Sequence, residues 1–121
     1  MLRDHCSMTS DSEQRWIDIT PGIRRRTLVT GKTMYQMRAE LAAGSQLPEH
    51  HHPEEQIAHI LCGRIRLIVA GVPHELGVGE SFYIGGNVPH AVETLEDTTV
   101  LDTFSPPRED YLALDRAAAV Q

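Results

Sequence analysis

Tyr35-Gln36-Met37-Arg38-Ala39-Glu40-Leu41 is the stretch on which the fold turns. Tyr35, Met37, Ala39 and Leu41 alternate with Gln36, Arg38 and Glu40, the period of two expected for a strand with one buried face. Outward from it, short β-branched or aliphatic runs are punctuated by Gly, Pro and Asn, and no long stretch carries a helical period. Further strands are expected at 23–29, 56–61, 64–69, 81–84, 90–94 and 100–104, with the first run itself reaching from 34 to 42. Gly63, Ala70-Gly71, Gly77-Val78-Gly79 and Gly85-Gly86-Asn87 mark the reversals, where Gly or Asn adopts positive φ. Pro106-Pro107 ends the last strand, because proline cannot donate to a ladder. Residues 108–119 then read as a short helix with Tyr111, Leu112 and Leu114 available to pack. Many short strands at close spacing imply an all-β sandwich or barrel with a short C-terminal helix.

The chain has 121 residues, enough for one compact domain. Residues 1–14 are polar and aperiodic and read as a flexible leader, leaving 15–121 as the domain. Net charge is −6, which argues against nucleic-acid binding. The one basic cluster, Arg24-Arg25-Arg26, falls within an expected strand and reads as a solvated face. No apolar run approaches the ~20 residues that span a bilayer, so no membrane partner is expected. The N-terminus lacks the apolar core of a signal peptide, which makes the cytoplasm the expected address. Cys6 lies in the polar leader and Cys62 at a strand end, so both are expected as free thiols.

Four of the seven histidines, His50, His51, His52 and His59, crowd into ten residues. On an extended backbone His50 and His52 share one face and His51 takes the other, so two imidazoles converge on one point. Gln56 opens the next strand after the Pro53-Glu54-Glu55 corner, and a Gln56 that faces the site turns His59 away. An isolated histidine is ordinarily a surface or hydrogen-bonded residue; here the wider spacing carries more than the clustering does.

That spacing resembles the cupin superfamily. The first motif reads Gly44-x5-His50-x-His52-x3-Gln56-x6-Gly63, with Gln56 where the family has glutamate. The second runs from Gly79-Glu80 to Val88-Pro89-His90, with Gly85 in place of the family's proline, Asn87 in place of its glycine and Thr94 in place of its closing asparagine. His50-x-His52-Pro53-x-Glu55-Gln56, together with the stretch from Leu101 to Leu112, resembles more closely the KdgF-type cupins of pectin and alginate breakdown. The resemblance implies a double-stranded β-helix, a homodimer, and one divalent transition metal ion (Ni, Zn, Fe, Co or Mn) held by His50, His52, Gln56 and His90. It further implies conversion of a 4,5-unsaturated monouronate, a small anionic sugar, into its linear ketonised form.

Three imidazoles and a carboxamide are neutral donors, so an ion they hold keeps its full positive charge toward an anionic oxygen. Asp102 and Phe104 alternate onto one face of the last strand, which the resemblance turns toward the metal. Asp102 is then the acid/base, Phe104 a wall for the sugar ring, and Arg108 a bidentate clamp on the carboxylate as well as a catalytic residue. Tyr83, Met37 and Arg38 are further candidates for the lining. A dioxygenase or polyketide-cyclase-like enzyme on the same metal site, or a non-catalytic sugar- or metal-binding cupin, is the competing expectation.

Overall fold

The computed structural model describes residues 15–119, so the leader expected at 1–14, with His5 and Cys6, lies outside the described residues. Among these residues ten strands and one helix follow one another: β1 (Ile17–Thr20), β2 (Ile23–Thr30), β3 (Tyr35–Leu41), β4 (Gln46–His50), β5 (Glu55–Cys62), β6 (Arg64–Val69), β7 (Val72–Gly77), β8 (Ser81–Ile84), β9 (His90–Thr94), β10 (Thr98–Ser105) and α1 (Glu109–Ala119). They form a six-stranded sheet, ordered β1-β2-β3-β10-β5-β8, and a four-stranded sheet, ordered β4-β9-β6-β7. The seven expected strands are all present; β1, β4 and β7 are additional, and each is a sheet edge.

The alternation in β3 is realised: Tyr35, Met37, Ala39 and Leu41 are buried. The apolar core lies between the sheets, with Ala58 and Ile60 from β5 and Val100 from β10 against Ile65 and Leu67 from β6 and Val92 from β9. Burying each of the Ile, Leu and Val side chains stabilises the fold by about 1.5–3 kcal/mol. Gly63 joins β5 to β6 at a φ of 95°, and a Cβ there would strike the Asp97 carbonyl and Thr98. Asn87, standing where the cupin pattern has glycine, takes a φ of 62°, which its short polar side chain tolerates.

β10 is the strand that places chemistry. It lies between β3 and β5, so Asp102 faces Met37 and Ala58 across the ladder and Phe104 faces Tyr35 and Gln56. Asp102 and Phe104 therefore share the inner face, as the period of two requires.

Two expectations are corrected. Arg25 is not solvated: it is wholly buried, Nη1 donates to Asp115 at 2.9 Å, Nη2 donates to the Tyr111 carbonyl at 3.1 Å, and the guanidinium lies 4.2 Å from the Tyr111 ring centre. Thr27 completes the anchor, donating to Asp115 at 2.5 Å and meeting the Tyr35 hydroxyl at 2.6 Å. Strand alternation puts Arg25 on the face that α1 covers, while Arg24 and Arg26 stack against Trp16 on the other. Cys62 is disulfide-bonded rather than a free thiol. Its burial at the end of β5 fits a side chain withdrawn from solvent, a property that sequence separation alone does not reveal.

Candidate metal centre

At one end of the barrel the two sheets part around a small cavity of about 60 Å³. His50 ends β4 and His90 begins β9, and the two are cross-strand partners with ring centres 4.2 Å apart. His52 follows on the loop to β5, its ring 5.0 Å from that of His90. One ring nitrogen from each of the three lies within 4.8 Å of the others, among the described residues the only histidine, cysteine or carboxylate group of this kind.

The orientation of each ring is fixed from behind. Nδ1 of His50 meets the Pro48 carbonyl at 2.9 Å, that of His52 the Glu54 carbonyl at 3.0 Å, and that of His90 the Val88 carbonyl at 2.8 Å. A carbonyl only accepts, so each Nδ1 carries a proton, and the lone pair of each neutral ring lies on Nε2. Burial, with the Arg108 charge adding to it, lowers the pKa of His52; burial above all pushes His90 down to about 4. Both are neutral at pH 7, the form that binds metal.

Gln56 enters from the other sheet. Its Nε2 donates to Asp102 Oδ1 at 2.8 Å, which leaves the amide oxygen buried with no hydrogen-bond partner. An unsatisfied buried acceptor is costly unless something else meets it. A divalent cation is what an orphaned carboxamide oxygen beside three imidazole lone pairs suits, and the donor set fits one. Asp102 thus fixes the amide so that oxygen, not nitrogen, is left free. Asp102 itself is 6% exposed, and burial raises its pKa to about 6, against the smaller opposing effects of the Gln56 hydrogen bond and the Arg108 charge.

Phe104 lines the cavity beneath His52, with ring centres 5.5 Å apart, and is at the same time core, packed with Tyr35 and Met37. Arg108 also lines the cavity, but its fork is not wholly open. Nε and Nη2 donate to the two Asp110 oxygens at 3.1 and 2.9 Å, and the guanidinium stacks 3.9 Å from the Tyr111 ring centre. Neither bond to Asp110 uses Nη1. The clamp expected of Arg108 therefore has one edge engaged by its own chain, because Asp110 sits two residues away at the start of α1.

Met37 reaches the cavity, whereas Tyr83 and Arg38 do not line it. His51 is exposed and His59 meets Ser81 at 2.7 Å, so neither joins the cluster, as alternation implies. His74 packs on Phe82. The sequence reading made Glu54 part of the corner that shapes the pocket, without a partner of its own, yet its carboxylate is buried 3.5 Å from His52 Nδ1 and 3.6 Å from Arg108 Nε. The only hint in the sequence is its place between two candidate site residues.

The chain is similar to known proteins over most of its length. A cupin domain family model matches residues 37–104. The pectin degradation protein KdgF of Dickeya dadantii is 31% identical over 104 residues, covering 84% of this chain and 94% of that protein. The solved structure of KdgF from Halomonas sp. matches with a TM-score of 0.78 at 27% identity, over 88% of this chain and 99% of that one. An RmlC-like cupin from Shewanella frigidimarina matches with the same TM-score at 26% identity, over 85% of this chain and 93% of that one.

Proposed function

This chain is a cupin, and from that premise we propose that it is a metal-dependent isomerase that opens 4,5-unsaturated monouronates to their linear ketonised form. The observation that carries the reading is the hydrogen bond from Gln56 to Asp102, which joins an orphaned amide oxygen to a carboxyl poised near neutrality. Likeness to KdgF proteins supports the substrate class.

The reaction moves protons without net change. The anomeric hydroxyl loses its proton, the bond from C1 to the ring oxygen breaks, and C4 gains a proton as C5 becomes a ketone. Asp102, with a pKa of about 6, both accepts and returns a proton near pH 7, a contribution of about 10²–10⁴-fold. Arg108 offers Nη1 to the substrate carboxylate, and the Phe104 ring supports the sugar. His50, His52, Gln56 and His90 would hold the divalent ion, which when bound supplies charge stabilisation to anionic substrate oxygen. The reading carries a homodimer with it, which sedimentation of the purified protein checks.

Purified, metal-loaded protein is expected to abolish the ultraviolet absorbance of unsaturated galacturonate far faster than buffer. Asp102→Ala is expected to lose that activity while retaining fold and metal. An unchanged absorbance decay with wild type, or full activity in Asp102→Ala, rules the mechanism out; oxygen uptake with iron bound would point to a dioxygenase instead.

A further inference from the structure

Glu54 is a buried carboxylate for which the reaction above has no use. It is 8% exposed, and its Oε1 makes no hydrogen bond. That oxygen nevertheless stands 3.5 Å from His52 Nδ1 and 3.6 Å from Arg108 Nε, between a candidate metal ligand and the candidate carboxylate clamp. The backbone of the same residue accepts the His52 Nδ1 proton at 3.0 Å, so Glu54 touches His52 twice.

The loop that carries it has little freedom to move away. The Asn87 N–H donates to the His52 carbonyl at 2.7 Å, and a Cβ at Gly86 would come within 2.5 Å of the Pro53 carbonyl oxygen. The 52–54 corner is thus pressed between the 85–88 turn and Arg108. A carboxylate so far from water is costly, and it persists where charged or donor groups flank it. Here those flanking groups belong to two different functions.

We propose that Glu54 is a positioning residue that couples the metal centre to anion recognition. Through His52 it strengthens an imidazole donor, the role that a carboxylate behind a metal-ligating histidine ordinarily plays. Through Arg108 it holds the Nε side of the guanidinium, working with Asp110 to leave Nη1 for a ligand carboxylate. Glu54 touches neither ion nor substrate. The proposal rests on the function above only for the identity of the anion.

The test needs no turnover, so a protein inert toward unsaturated uronates still decides it. Metal-free wild type and Glu54→Gln are titrated calorimetrically with Zn²⁺ alone, and the loaded proteins with saturated galacturonate. Both affinities are expected to fall about tenfold in Glu54→Gln, the lower end for loss of a group behind a ligand. In the Arg108→Gln background, the effect of Glu54→Gln on Zn²⁺ affinity is expected to differ by threefold or more from its effect in wild type. Should Glu54→Gln fail to fold, Glu54→Asp, which withdraws the charge by one methylene, is read the same way, with a loss of threefold or more expected on both ligands. Equality with wild type on either ligand, additive effects in the double variant, or no uptake of galacturonate by wild type overturns the proposal.

Discussion

Neutralising Asp102 without changing its shape should stabilise the metal-free protein in alkali and leave it almost unchanged in acid. Burial raises this carboxyl from 3.8 to about 6. The folded chain therefore holds the proton more tightly than the unfolded chain. The resulting stabilisation is fully present below pH 3.8 and is lost as pH rises through about 6. At about 1.4 kcal/mol per pH unit, ionising Asp102 inside the fold costs about 3 kcal/mol by pH 8, but only about 0.5 kcal/mol at pH 4. Asparagine still accepts from Gln56 and has no proton to lose. Urea unfolding of chelator-treated wild type and Asp102→Asn at both pH values measures the difference directly. An increment of about 3 kcal/mol at pH 8 that shrinks to well under 1 kcal/mol at pH 4, with an unchanged denaturant slope, is expected. An equal increment at both pH values would reveal a packing effect, and no increment at pH 8 would refute the burial argument. Loss of turnover in the same variant would mark Asp102 as a residue that weakens its fold to serve its chemistry.

Gln56→Glu is expected to retain metal but to slow turnover at least tenfold, because it removes the donor that Asp102 accepts from and sets two carboxyls against each other; metal content and rate measured on one preparation check this. Arg25→Met is expected to cost about 3 kcal/mol in urea unfolding, since it breaks a buried ion pair, leaves Asp115 with Thr27 as its hydrogen-bond donor and loosens α1 from β2. Gly63→Ala is expected to lower stability by about 2 kcal/mol or more, read in the same assay, because an alanine there is both strained and crowded by Asp97 and Thr98.

What was legible in the sequence follows from where each element sits. β3 and β10 show their alternation because neighbours cover them on both sides and one face is core. β1, β4 and β7 left no such mark. β1 has four residues, and β4 and β7 tolerate Pro48 and Pro73 because an edge strand has backbone groups that no ladder needs. At the site, strand alternation pairs only His50 with His52, and the set His50, His52, Gln56 and His90 could be located because their spacing resembles the cupin motifs. Arg25 and Glu54 could not. The burial of Arg25 depends on Asp115, 90 positions along the chain, and Glu54 owes its neighbours to a corner closed by the distant 85–88 turn. The hold of Asp110 on Arg108 coexists with a guanidinium that lines the cavity, an arrangement set by the packing of the α1 start against the site.

The three Nδ1 hydrogen bonds each run to a carbonyl two positions away along the same strand or loop. Every imidazole is consequently aimed by its own stretch of backbone before any cation arrives, so swapping one element for another demands no refolding. A divalent cation reaching these donors would meet rings already held in place, so little side-chain freedom is left to lose on its capture.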